Sequence, residues 1–240
     1  MRLRRLLRVL DGFCGEGGAG QGYYDALTKA GYDVEIVGVD TNAARLKRYP
    51  FTAVQADALE YVAEHGHAFD LIHGSPTCTG YSRGTAAIPD RLQRYDRLIP
   101  VFRAVAQATG RPYVIENVAD ARRELDSPIL LCGRMFGLEA TDDDGTRLVL
   151  DRHRLFETSW EPWQPEHLPH DRTLQVAGSY GGARRDKVEA RRIRRGGYVP
   201  SADVQRALLR VPWMSEKGCQ LSIPPVYTEY VAQQFLAGVR

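Results

Sequence analysis

The chain has 240 residues, of which 43% are hydrophobic and 26% charged, and its formal net charge is +2. These figures describe a globular chain long enough to bury a sizeable core; they exclude a disordered or globally basic protein, and no apolar run approaches the ~18 residues of a membrane span. Cys14, Cys78, Cys132 and Cys219 lie far apart with no CxxC pair, which argues against a zinc site or a disulfide framework and for a reducing, cytoplasmic compartment.

The opening MRLRRLLRVLDGF is basic, then apolar. It is too short for a signal peptide and runs into a Gly-rich segment, so it reads as a first strand. DGFCGEGGAGQGY then turns into helical GYYDALTKAGY. VEIVGVD is a buried second strand and FTAVQAD a third, followed by helical ALEYVAEHG. FDLIHGS is a fourth strand. A long helix fits DRLQRYDRLIPVFRAVAQATG, and RPYVIENV is a fifth strand. Short apolar strands alternating with helices predict an α/β fold, a doubly wound parallel sheet with helices on both faces.

After about Phe156 the pattern changes. TSWEPWQPEHLPHDRT is rich in Pro, Trp and His and shows no period. ARRDKVEARRIRRGG follows, with seven Arg or Lys against two acids. Order returns with SADVQRALLRVPWM, which opens on a Ser N-cap signal, and with a last helix in PPVYTEYVAQQFLAGV. Residues 158–200 read as a small inserted lobe, and 1–157 with 201–240 as the main domain.

Ligands of such sheets sit at the carboxyl ends of the strands. Asp11, Asp40, Asp57, Cys78 and Glu116 all fall there. The glycines after the first strand let backbone approach a ligand, and a helix N-terminus offers free N–H groups. The spacing is not the dinucleotide GxGxxG, and a tight turn without a ligand has the same composition. Asp40 stands where an acid accepts hydrogen bonds from ribose hydroxyls, and Asp57 where one meets an adenine amine. Either acid alone reads first as a helix N-cap. Their order after the Gly turn suits a nucleoside-bearing cofactor.

Cys78 stands in the turn-rich GSPTCTGYS, at an expected helix start whose dipole favours thiolate. Glu116 ends the fifth strand beside it, where a carboxyl can exchange protons. In LVLDRHRLFET, Arg152 and Arg154 alternate along an expected strand and so share a side, a pairing suited to phosphate or a base oxygen.

With these residues in line, the chain resembles the DNA (cytosine-5) methyltransferase family, in its compact bacteriophage-encoded form. Five segments stand in family order: DGFCGEGG, SPTCTGYS, ENV, RHRLF and QLSIPPVYTEYVAQQF. LLCGRMFGL fits a weaker family segment. The resemblance implies a Rossmann-like sheet with a small target-recognition lobe, S-adenosyl-L-methionine (SAM) as cofactor with S-adenosyl-L-homocysteine as product, double-stranded DNA as partner, no metal, and a monomer. It implies catalytic roles for Cys78, Glu116, Arg152 and Arg154. It assigns the cofactor to Asp11, Phe13, Cys14, Gly15, Gly17, Gly18, Asp40, Thr41, Asp57, Ala58, Thr77 and Ser222. It assigns DNA to Ser82, Arg83, Arg184, Arg185, Arg191, Arg192, Arg194 and Arg195.

The chain departs from the family at Thr77 (usually Pro), Thr79 (usually Gln), Leu150 (usually Gln) and Gln220-Leu221 (usually Gly-Asn). These positions bear on target-base placement and rate. The same chemistry on tRNA, a non-catalytic DNA- or SAM-binding role, and a transferred group other than methyl are the alternative readings. The small lobe implies a short site of about two to four base pairs, because few side chains can reach base edges.

Overall fold

The computed structural model describes residues 4–81, 97–178 and 199–238. The expected sites at Ser82, Arg83, Arg184, Arg185, Arg191, Arg192, Arg194 and Arg195 lie outside the described residues.

Strand β1 (Leu6–Gly12) leads into helix α1 (Gly18–Lys29), and β2 (Asp33–Asp40) into the single turn α2 (Ala43–Leu46). β3 (Thr52–Gln55) precedes α3 (Ala58–His65), which Asp57 caps by accepting from the backbone N–H of Leu59 and Glu60 at 2.8 and 3.1 Å. β4 (Leu71–Gly74) is buried at all four positions. Helix α4 (Leu98–Ala108) buries Ile99, Phe102 and Ala106, one face of a helix, and returns the chain to β5 (Tyr113–Val118).

Seven strands form one sheet in the order β3-β2-β1-β4-β5-β9-β6, with β9 (Arg154–Thr158) and β6 (Ile129–Leu131) at the far edge. β9 runs antiparallel between β5 and β6, while β1 to β5 pair in parallel. The expectation of a parallel doubly wound sheet therefore holds for its first five strands. The order reverses between β1 and β4, the crevice where open α/β sheets bind ligands. A smaller sheet, β10-β8-β7, joins β7 (Glu139–Thr141), β8 (Arg147–Val149) and β10 (Gln175–Val176).

One correction concerns LVLDRHRLFET, which is not one strand. Leu150 is fully buried and its N–H is taken by Leu138, so the chain leaves β8 in the small sheet and re-enters order at β9 in the large one. Arg152 lies in that crossing and Arg154 on the strand, so strand alternation does not relate them.

Helix α5 (Ala202–Leu209) starts on Ser201, whose hydroxyl accepts from Val204 N–H as the N-cap signal implies. α6 (Glu216–Leu221) and α7 (Pro225–Gly238) close the fold. α7 lies along α1, with the Thr228 hydroxyl donating to the Ala19 carbonyl at 2.8 Å. Glycine permits this approach. A Cβ on Gly18 would stand 2.2 Å from the Ile223 carbonyl oxygen, and one on Gly22 would stand 1.9 Å from that of Pro225. Backbone cannot swing aside as a side-chain tip can. Gly18→Ala is expected to cost about 1–3 kcal/mol, read as a lower urea midpoint; an unchanged midpoint would contradict this close packing.

Candidate active site

A cavity of about 480 Å³ opens at the carboxyl ends of β1, β2, β4 and β5, within the range of small-molecule sites. Asp11, Phe13, Cys14, Gly15, Gly18, Asp40, Thr41, Asp57, Ala58, Thr77 and Ser222 line it, and so do Cys78, Glu116 and Arg154. Residues read from separate motifs thus line one cavity. Gly17 and Arg152 do not line it. Gly17 caps α1 with φ of 91°, a left-handed conformation that glycine adopts without strain.

Asp11 is 1% exposed. Its Oδ2 accepts from the Tyr49 hydroxyl at 2.9 Å and from Gly20 N–H at 3.1 Å, while its buried Oδ1 has no hydrogen-bond partner among the described residues. Burial pushes its pKa up to about 7, against the Tyr49 and Gly20 hydrogen bonds. An orphaned carboxylate oxygen at a cavity wall suits a ligand bearing a cation or N–H donors. Asp40 braces the turn: Oδ2 accepts from Gly15 N–H at 3.0 Å and Oδ1 from Asn42 N–H at 2.8 Å. Burial drives the Cys14 thiol up, so it stays protonated.

On the other side of the cavity, the Arg154 guanidinium meets Glu116 at 3.0 Å, both side chains nearly buried. Burial raises the Glu116 pKa; Arg154, a Ser75 hydrogen bond and Arg152 oppose it. Cys78 is half-buried in the irregular loop after β4, whose turn closes by Tyr81 N–H donating to the Cys78 carbonyl at 2.9 Å. The helix expected to start here would run into residues outside the described range. Burial raises the thiol, with Arg154 the main opposing influence and Arg152 a smaller one. Arg152, 0% exposed, donates to the Gln220 carbonyl at 2.9 Å. Gln220, one of the positions at which the resemblance breaks, therefore supports Arg152 through backbone that any residue supplies.

Sequence reasoning missed several supports. Asn117 donates to the Pro76 carbonyl at 2.9 Å and so fixes the loop before Cys78. A buried relay runs from Tyr23 OH to His73 Nδ1 at 2.9 Å and from His73 Nε2 to Ser75 Oγ at 2.8 Å, ending at Glu116. Burial lowers His73 to a pKa of about 3, so it remains neutral. Ser75 and Asn117 sit inside the quoted segments SPTC and ENV; adjacency was their signal. Glu16 accepts from Ser215 N–H at 2.7 Å and its hydroxyl at 2.5 Å, tying the glycine turn to the chain 199 residues on. An acid within CGEGG was the only hint.

No protein-family profile matches the chain, and no curated protein matches it. Among solved structures, the Entamoeba histolytica methyltransferase EhMeth superposes with a TM-score of 0.57 at 9% identity, over 99% of this chain and 100% of that one. The chain shares the fold of that methyltransferase. The CMeT domain of citrinin polyketide synthase gives a TM-score of 0.29 at 15% identity, over 47% of this chain and 29% of that one, too slight a likeness to add weight. In this fold the cavity lies at the reversal of strand order, between the loops after β1 and β4. No helix among the described residues is long and apolar enough to cross a membrane.

Proposed function

We propose that the protein transfers a methyl group from SAM to C5 of cytosine in double-stranded DNA, through a covalent adduct of Cys78 with a flipped-out base. The observation that carries this reading is the shared cavity. An acid-lined, glycine-turned half suits a nucleoside cofactor, and a Cys78–Glu116–Arg154 half lines the same cavity. Asp11, Asp40, Asp57 and the turn at 13–18 would hold SAM. The orphaned Asp11 oxygen fits its ammonium group. When bound, SAM supplies a methyl on a positively charged sulfur.

Cytosine C5 is a poor nucleophile. The Cys78 thiolate adds at C6 and gives C5 enamine character, so that C5 could take the methyl that bound SAM would supply, the S–CH3 bond breaking and S-adenosyl-L-homocysteine leaving. Glu116 hydrogen-bonds N3 and the exocyclic amine, matching the charge that develops on addition, and Arg154 holds O2. Loss of the C5 proton to a base then expels Cys78 as thiolate. A base within the duplex cannot reach these groups, so it must leave the stack. The phosphate contacts that offset part of the cost are assigned to the basic 184–195 segment, outside the described residues.

Nucleoside mass spectrometry after incubating the protein, SAM and duplex DNA tests this directly. 5-Methylcytosine in the DNA is the expected product. Methylated tRNA with unmodified DNA would replace the substrate, and no product on either would replace the reading with binding alone.

The Asp11 assignment adds a pH signature. Its carboxyl must ionise to meet a cation, and it does so at about pH 7 in the free protein. Affinity for SAM should therefore rise about tenfold from pH 6 to pH 8. Calorimetry should show this rise for the parent and a flat, weaker response for Asp11→Asn. A parallel rise in both would remove Asp11 from the site.

A further inference from the structure

We propose that Cys132, His153, His167 and His170 bind one zinc ion as a closed, structural site. These residues lie outside the SAM cavity, and the inference does not depend on the methyltransferase reading. Their four ligand atoms all lie within 4.8 Å of one another, and none of the four residues is exposed. Cys132 Sγ stands 3.3 Å from His170 Nε2, His170 Nε2 stands 3.1 Å from His167 Nε2, and that atom stands 3.3 Å from His153 Nε2. A tetrahedral zinc with Zn–N of about 2.0–2.1 Å and Zn–S of about 2.3 Å sets ligand atoms about 3.3–3.6 Å apart. The observed spacing comes close to that set.

Hydrogen bonding alone accounts poorly for the cluster. Three imidazole Nε2 atoms and a sulfur converge on one point, and each neutral ring offers either a proton or a lone pair there, not both. A cation satisfies all four lone pairs together. The surroundings follow the pattern of metal-bound histidine. His170 presents Nδ1 to Asp151 at 3.0 Å, and Arg134 in turn holds the Asp151 carboxylate. With its Nδ1 proton given to Asp151, His170 directs an Nε2 lone pair at the centre.

The four come from three separate pieces of chain. Cys132 follows β6, and His153 stands between Arg152 and Arg154. His167 and His170 lie on the stretch 161–170, which has no regular secondary structure. Such a stretch makes few backbone hydrogen bonds of its own, and a metal would pin it to the arginine segment. The missing CxxC pair spoke against zinc, but His-Leu-Pro-His at 167–170 offers two ligands at a metal-binding spacing.

Elemental analysis of the full-length protein, expressed with zinc in the medium, should find about one zinc per chain. Cobalt exchanged into the parent should give a thiolate-to-metal charge-transfer band and tetrahedral visible absorption. His167→Gln and His170→Gln should reduce bound zinc at least tenfold, and Cys132→Ser should abolish the charge-transfer band. The cobalt spectrum of the parent needs no variant to fold. The proposal is overturned if the parent takes up neither metal, if the bound cobalt shows no thiolate band, or if both histidine variants keep full zinc.

Discussion

Cys78→Ala is expected to bind SAM as the parent does and to transfer methyl groups at least about 10⁴-fold more slowly, the scale of loss when a covalent nucleophile is removed. The side chain is small and half-buried, and its loop is held from elsewhere, by Asn117 on the Pro76 carbonyl and by the turn to Tyr81. Removing the sulfur therefore leaves the fold intact. Tritiated methyl incorporation into duplex DNA gives the rate, and calorimetry with SAM confirms that the cofactor half survives. DNA containing 5-fluorocytosine supplies an independent readout. Fluorine cannot leave as the C5 proton does, so the parent should be caught as a protein–DNA adduct and the variant should not. Because burial raises the thiol, the parent's rate at limiting DNA should climb with pH through the neutral range as the thiolate fraction grows. A variant that keeps more than about a tenth of the parent rate would take the nucleophile's role away from Cys78.

Arg154→Ala should lose activity and also destabilise the protein by about 3–5 kcal/mol, the cost of leaving a buried charge without its partner. Glu116 and Arg154 meet at 3.0 Å with side chains 7% and 9% exposed. Arg154 is the largest influence holding the Glu116 pKa down against burial. Without the arginine that pKa rises further above its unfolded value. The folded state then holds its proton to higher pH than the unfolded state does, so stability falls as pH rises through that window. The deficit of Arg154→Ala should accordingly be small in mild acid and grow toward pH 8. Glu116→Gln removes the charge and keeps the shape. In the double variant Glu116→Gln/Arg154→Ala, part of the lost stability should return while activity stays absent. Urea unfolding of the four proteins at two pH values measures this. Strict additivity would show that the two side chains do not depend on each other.

The first five strands were legible because each is a short apolar run between turn-formers, and the Ser201 cap because its signal is local. The acids at the strand ends followed from that frame. Arg152 was misplaced because alternation assumes a continuous strand, and the chain between Val149 and Arg154 changes sheets. Insertion of β9 between β5 and β6 could not be read either, since it depends on pairing with strands distant in sequence. Glycines of the first turn suggested a ligand. Gly15 and Gly18 do line the cavity, yet Gly18 and Gly22 also make room for the backbone at Ile223 and Pro225. Such contacts between distant segments leave no periodic trace. The helix expected after Cys78 falls on residues outside the described range, whereas the burial that raises the thiol belongs to the whole fold and leaves no local sequence signal.

The bond between Glu16 and Ser215 spans 199 residues, and the cavity wall needs Gly218, Leu221 and Ser222 as much as residues 11–18. Translation at about 5–20 residues per second separates the two halves of that wall by roughly 10–40 s. Throughout that interval the glycine turn has emerged from the ribosome, but the segment that backs it has yet to be made. A nascent chain thus carries the Cys78 loop before the cavity wall is complete, and a message cut short ahead of Ser215 yields a thiol-bearing fragment whose cavity lacks Gly218, Leu221 and Ser222.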